Sequence, residues 1–273
     1  MKTFLDEILA DVRTELEVTK ARRPLAEIRR MILDAPTVRS FPAALSEKFR
    51  LIAEVKERSP SVGPMRPENV AAAPIAYEDS PIVAAISVLT NHMHFGMSIG
   101  HLTTIRKSGT KPVLRKDFIV EEYQVREARA FGADAILLMA NVLDRARMAG
   151  FYELVRELGM EALFEVHTEE EISALPRDAR VVGINSRKFK AKSGFVGKQG
   201  ASETDFSLDY SAFALAEKIP AGTLRVAESG LSPQHAVRVS ERFDAALVGT
   251  SLLRDPRGIL ACLEEFERAI NAL

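Results

Sequence analysis

Eight short apolar runs, separated by amphipathic segments, constrain this chain more than any other feature. The runs fall at 51–55, 83–87, 112–114, 135–138, 162–166, 181–184, 224–227 and 245–248. Most are continuous rather than alternating, as expected of parallel strands covered on both faces. Between them, residues 121–131 place Val125, Ala128 and Phe131 at helical spacing. Residues 143–158 do the same with Ala146, Phe151, Leu154, Val155 and Leu158, and segments 208–219 and 233–241 continue the series. Gly132 and Gly159 stand where helix C-termini favour glycine. Alternating strand and helix implies right-handed crossovers and a parallel sheet. Eight such units fit a closed (β/α)8 TIM barrel of the α/β class better than an open doubly wound sheet.

The length agrees, because α/β barrels of about 250 residues form one domain around one core. Residues 1–273 therefore read as a single (β/α)8-barrel domain. Residues 1–45 fall outside the repeat. There Phe4, Leu5, Ile8, Leu9, Val12 and Leu16 mark an amphipathic helix, and Leu25, Ile28, Met31 and Ile32 mark a second, ending before Pro36. These read as an N-terminal helical extension packed on the barrel. Residues 190–206 are rich in Gly, Ser and Lys and lack a period, which reads as either a lid or a disordered insert.

Composition removes several classes of function. A net charge of -1 gives no global field for nucleic acid or an anionic membrane, so any anion site is local. The single cysteine, Cys262, permits no internal disulfide and no multi-cysteine metal site, and fits a reducing cytoplasm. It lies in the last helical pattern and reads as a small buried hydrophobe. Asp6, Glu7 and Asp11 interrupt the apolar segment that a signal peptide would need. No run approaches the roughly 20 apolar residues of a membrane span. The expectation is a cytoplasmic protein with a small-molecule partner, without nucleic acid or membrane.

In such a barrel chemistry sits at the C-terminal strand ends, so polar residues there carry the information. Glu54 and Lys56 are two apart on the first strand and share a face. With Val55 toward the helices, both point inward, where charge is costly unless paired or used. Lys116 follows the third run, Glu165 lies in the fifth, Asn185 and Arg187 follow the sixth, and Glu228 follows the seventh. The alternative is a structural ion-pair network, such as Glu54 with Lys116. Six strands contributing to one end favour an active site. Ser229–Gly230 and Gly249–Thr250–Ser251 follow strands seven and eight, where barrels commonly seat phosphate. Ordinary capped turns are the alternative.

Other signals are weaker. Gly194, Gly197, Lys198 and Gly200 fail the nucleotide-loop pattern, because residue 192 is Lys and residue 199 is Gln. His92 and His94 lack an evident third metal ligand and read as solvated loop residues. His167 follows Glu165 by two, which allows it to face the site, but a surface or core place fits its position at least as well.

Several segments together carry a family resemblance. Ile52-Ala53-Glu54-Val55-Lys56-Glu57-Arg58-Ser59-Pro60-Ser61-Val62-Gly63 resembles the first-strand signature of indole-3-glycerol phosphate synthases. So do Ile86-Ser87-Val88-Leu89-Thr90 with Phe95-Gly96, Pro112-Val113-Leu114-Arg115-Lys116-Asp117-Phe118, and Glu161-Ala162-Leu163-Phe164-Glu165-Val166-His167. Gly183-Ile184-Asn185-Ser186-Arg187, Ala227-Glu228-Ser229-Gly230-Leu231 and Leu247-Val248-Gly249 complete the series in order. The sequence departs from the pattern at Asn91, at Gly96-Met97-Ser98, at Ser80-Pro81, at Lys188-Phe189 and in the longer 190–206 stretch.

The resemblance implies conversion of 1-(2-carboxyphenylamino)-1-deoxyribulose 5-phosphate to indole-3-glycerol phosphate, CO2 and water, without metal or cofactor, by a monomer or weak homodimer. It implies Lys116 as main general acid and Glu165 as its acid/base counterpart. Glu54 and Lys56 would assist proton transfer and orient the substrate, with Glu228 as another polar contact to the reacting part. Asn185 and Arg187 would hold the hydroxyls and the anthranilate carboxylate, Ser59 would contact the substrate, and Phe95 and Phe118 would flank the aromatic ring. Ser229, Gly230, Gly249 and Thr250 or Ser251 would hold the phosphate. A lysine among cations and apolar groups would have its pKa lowered toward neutrality, which would make it an effective acid.

Overall fold

The computed structural model describes residues 3–187, 190–196, 202–205 and 207–272. Eight parallel strands close into a barrel: β1 (Arg50–Val55), β2 (Val83–Leu89), β3 (Val113–Lys116), β4 (Ala135–Met139), β5 (Glu161–Val166), β6 (Val181–Asn185), β7 (Leu224–Glu228) and β8 (Ala245–Val248). Closure is made by β8 on β1, in register from Arg50 opposite Ala245 to Ala53 opposite Val248. Every expected strand is present. The runs at β3, β6 and β7 stop short of their strands' last residues, Lys116, Asn185 and Glu228. A hydrophobic criterion cuts each of these strands where its polar side chain turns into the site.

Side-chain alternation sorts the strand residues into two apolar layers. Val55, Ile86, Val88, Phe164 and Ile184 pack outward with the helix residues Val125, Ala128, Leu154 and Val155. Ile52, Leu114, Leu137, Leu163, Val226 and Leu247 fill the barrel interior. Gly132 and Gly159 adopt φ of 88° and 76° after the helices Glu122–Ala130 and Arg145–Glu157, a backbone that a side chain would disfavour. Segment 208–219 forms a 3-10 helix, Tyr210–Lys218, rather than an α-helix.

At the N-terminus, α1 (Phe4–Arg22) starts at a capping box made by Thr3 and Asp6. Its stripe Ile8, Leu9, Val12 and Leu16 is buried, and with Ile28 of α2 (Leu25–Leu33) it joins the cluster that fills the barrel. Each such side chain contributes about 1.5–3 kcal/mol, and polar ties such as Lys20 to Glu121 and Arg39 to Asp134 add to the docking.

Within 190–206, which the sequence reads as either a lid or a disordered insert, the described parts have regular structure. Lys190–Val196 and Ser202–Asp205 pair as an antiparallel ribbon, with Asp205 opposite Lys190. Backbone pairing needs no hydrophobic alternation, so periodicity gave no sign of it. Lys188, Phe189, Gly197, Lys198 and Gly200 lie outside the described residues. Cys262 is buried on the helix Ile259–Asn271, as expected. Among the described residues no helix is long and apolar enough to cross a membrane.

Candidate active site

All of the sequence-predicted site residues line one cavity at the C-terminal mouth of the barrel. They come from β1, β3, β5, β6, β7 and the loops that follow the strands, and residues from 54 to 251 meet there. Ile8 of α1 and the strand residues Leu89, Leu137, Met139 and Leu247 add an apolar surface. Sequence reasoning missed these five. Strand parity could have suggested Leu89, two residues beyond inward Ser87, whereas nothing in the sequence says where α1 docks.

The charged residues form two linked sets. Lys56 Nζ donates to Glu54 Oε1 at 2.5 Å. Lys116 Nζ donates to Glu228 Oε2 at 2.7 Å and to Glu165 Oε2 at 3.0 Å. The suggested Glu54–Lys116 bridge is therefore replaced by Glu54–Lys56, because residues two apart on one strand are nearest neighbours on its inner face. The expected lowering of the Lys116 pKa is also overturned. Burial works in that direction, but Glu228, Glu165 and Glu54 outweigh it and hold the ammonium well above its usual value. Burial raises the carboxylates; Lys116 then pulls Glu165 down to about 2, while Glu228, crowded by Glu165, stays up at about 7. The pair behaves as one site that keeps a proton near neutrality.

Two glycines make room for these carboxylates. A Cβ on Gly183 would overlap Glu228 Oε1, and a Cβ on Gly249 would overlap Glu54. A glycine inside a strand signals such close approach, so Gly183 was readable in principle. Gly249 thus has a packing role beside its place in the turn after β8.

Local structure positions the remaining groups. Asn91 caps the short helix His92–Phe95 by accepting the His94 N–H at 2.9 Å. Glu57 N–H donates to the Phe95 carbonyl at 3.0 Å, which fixes Phe95 beside the first-strand loop. That loop carries Ser59, whose hydroxyl lies 2.9 Å from that of Ser61. Phe118 is pinned by Asp117, which accepts its N–H at 2.9 Å, and by Gln124, which donates to its carbonyl at 2.9 Å. The Phe95 and Phe118 rings are 6.4 Å apart and 26° from parallel, so they contact each other. Asn185 Oδ1 accepts the Arg187 N–H at 2.9 Å, which sets the turn that brings Arg187 into the cavity.

Across the cavity, Ser229 has φ 76°, the one positive value at a residue other than glycine among the described residues, and Gly230 follows at 68°. Such backbone costs about 1–3 kcal/mol at a serine and concentrates at functional sites. Ser251 Oγ donates to the Leu231 carbonyl at 2.6 Å and ties the turns after β7 and β8 together. The Ser251 hydroxyl proton is therefore already engaged.

The histidines divide. His92 is exposed as expected, but His94 is not a solvated loop residue. It is partly buried on its short helix, with Nε2 3.1 Å from Asp11 Oδ2 of α1. His167 sits against Glu165. Among the described residues no group of three His, Cys, Asp or Glu side chains is placed to hold a metal ion.

A family model for indole-3-glycerol phosphate synthase matches residues 5–259. The chain belongs to that family. A relative from Kineococcus radiotolerans, described as indole-3-glycerol phosphate synthase, is 40% identical over 96% of this chain and 94% of its own. One from a Parafrankia species is 39% identical over 95% and 94%. Indole-3-glycerol phosphate synthase 2 of Streptomyces coelicolor is 39% identical over 93% and 95%. A crystal structure of 3-hexulose-6-phosphate synthase superposes with a TM-score of 0.54 at 15% identity, covering 81% of this chain and all of that one, and shows the fold alone. Indole-3-glycerol phosphate synthases are carboxy-lyases of tryptophan biosynthesis. Such an enzyme must handle an anionic substrate, and this cavity offers Lys56, Lys116 and Arg187.

Proposed function

We propose that the cavity performs the synthase reaction with Lys116 as the principal proton donor. The substrate is 1-(2-carboxyphenylamino)-1-deoxyribulose 5-phosphate. The observation that carries this reading is the Lys116 ammonium held inside the cavity by two buried carboxylates, with Ser229–Gly230 and Gly249–Ser251 on the same lining.

The turns at 229–230 and 249–251 bind the phosphate through backbone N–H groups, and Arg187 receives the anthranilate carboxylate. The aromatic carbon bearing that carboxylate attacks the sugar carbonyl, and the new oxyanion takes a proton from Lys116. An ammonium with a raised pKa suits this step, because an alkoxide is a far stronger base than any lysine and gains from a fixed charge beside it. Loss of CO2 returns the electron pair to the ring. Glu165, kept ionised by Lys116, then removes the proton from the carbon next to nitrogen. Lys56, paired with Glu54, protonates the departing hydroxyl, which leaves as water. Ser59 and Asn185 orient the sugar, and Phe95 and Phe118 support the ring.

A Schiff-base lysine is disfavoured by the same geometry, since that chemistry needs a neutral amine and both carboxylates oppose one. The whole chain works as one unit, because Ile8 of the extension contributes to the cavity wall. The net charge of -1 supports a small-molecule partner rather than nucleic acid or membrane, the single cysteine fits a reducing cytoplasm, and the family resemblance suggests a monomer or weak homodimer.

The test is to add the carboxyphenylamino-deoxyribulose phosphate and follow indole fluorescence in metal-free buffer. Turnover by the wild type that Lys116→Ala abolishes supports the reading. No turnover, or lysine trapped by borohydride during turnover, contradicts it.

A further inference from the structure

His167 lies next to this cavity and has no part in the steps above. It follows β5 directly, and its backbone N–H donates to Glu171 Oε2 at 2.6 Å. Its ring Nδ1 is 3.5 Å from that same oxygen, and its Nε2 is 3.7 Å from Glu165 Oε1. Both spacings are long for hydrogen bonds but fall within ion-pair reach. Glu165 Oε2 already receives Lys116, whereas buried Oε1 and both ring nitrogens have no hydrogen-bond partner among the described residues.

A ring between two carboxylates has a definite electrostatic preference. Neutral imidazole has one N–H and one lone pair, so it would turn the lone pair toward one of the anions. Imidazolium donates on both sides. Three carboxylates face the ring from the elements around it: Glu165 on β5, Glu171 on the helix Glu169–Ala174, and Glu228 on β7. Lys116 stands beyond Glu165 and Glu228. Burial disfavours the charged ring, but Glu171, Glu165 and Glu228 outweigh it and raise its pKa above the usual value. The result is a row of alternating charge: Glu171, His167, Glu165, Lys116, Glu228.

We propose that His167 is a positioning residue of the synthase reaction: clamped by Glu171 and charged, it holds the free oxygen of Glu165 and so fixes that carboxylate's direction and ionisation. Glu171 acts through His167. The proposal rests on the role given above to Glu165.

Three measurements test it. Nitrogen-15 spectra of the wild-type histidines report protonation without any turnover. The His167 ring is expected to be an imidazolium at pH 7, and a neutral ring there overturns the proposal. His167→Gln keeps a side-chain donor but removes the charge. It is expected to lower kcat about tenfold with KM within about twofold, and to move the acid limb of kcat up by about one pH unit. The limb moves up because the Glu165–Glu228 pair binds its shared proton more tightly without the neighbouring cation. Glu171→Gln should shift the limb the same way by less, and the double variant should be no worse than His167→Gln alone. A fall in kcat with an unmoved limb, a change confined to KM, or fully additive losses overturns the proposal in favour of packing alone. If His167→Gln does not fold, the spectra and the Glu171→Gln profile decide. Wild-type turnover lost in Lys116→Ala, together with an unmoved limb, sinks this inference and leaves the cavity's function standing. An inactive wild type sinks that function instead.

Discussion

Arg115 and Lys116 stand side by side on β3 and face opposite ways, one toward the helix layer and one into the barrel. Both are charged, buried or nearly so, and paired with two carboxylates. Arg115 meets Asp117 at 3.0 Å and Glu127 at 3.0 Å, and it also donates to Thr90 Oγ1 at 3.0 Å and to the Gln124 carbonyl at 2.9 Å. Thr90 in turn donates to Asp117 at 2.5 Å. No buried side-chain atom of this outer cluster lacks a partner, among the described residues. The inner cluster leaves Glu165 Oε1, Glu228 Oε1 and both nitrogens of His167 without hydrogen bonds. A satisfied network is rigid and supports the fold, whereas a buried network with open valences is costly and persists where a ligand completes it. The two neighbours on β3 thus sit in one satisfied cluster and one open cluster.

The largest expected effect falls on the inner member. Lys116→Ala should lower kcat by about 10³-fold, with a smaller loss of stability than Arg115→Ala in urea unfolding. If turnover survives, the two neighbours do not differ as described. Arg115→Ala should do the reverse. It strands Asp117 and Glu127 in the core and should cost about 3–5 kcal/mol in urea unfolding, while the folded fraction keeps a kcat near the wild type's. A stable but inactive Arg115→Ala would place the outer cluster in the chemistry. Gly183→Ala sharpens the contrast, because its Cβ intrudes on Glu228. It should reduce kcat about 10²-fold through misplacement of the carboxylates, with a smaller change in stability.

The smallest effect is on stability against pH. Glu228 is raised from 4.5 to about 7, so between those values the folded chain holds a proton that the unfolded chain has lost. Stability from this group falls as pH rises through that window, by at most about 1.4 kcal/mol per pH unit. Glu165, lowered to about 2, stabilises above 4.5 and loses that contribution as pH falls below it. Glu228→Gln should flatten the upper window, and unfolding curves from pH 4.5 to 7 that keep their slope in the variant would contradict the assignment.

Much of the fold was legible because parallel strands covered on both sides must be apolar throughout, and each of the eight announced itself. Lys116, Asn185 and Glu228 fell outside the runs for the reason that makes them useful: they are the polar ends that reach the cavity. The membership of the site was readable from strand ends and family resemblance. Its electrostatics were not. Sequence separations of 49 and 112 residues hide that Glu165 and Glu228 share one ammonium, so the expected direction of the Lys116 shift was wrong. The pairing of 190–196 with 202–205 and the contact of His94 with Asp11 escaped for the same reason, since neither backbone pairing nor helix docking leaves a periodic mark.

A crystal structure with a substrate analogue whose ketone is reduced to a hydroxyl tests the inner cluster most directly. The Lys116 ammonium should turn from the carboxylates to lie about 3 Å from that hydroxyl oxygen, with the phosphate on the 229–230 and 249–251 turns. A hydroxyl bound by Lys56, with Lys116 still locked between Glu165 and Glu228, would contradict the account.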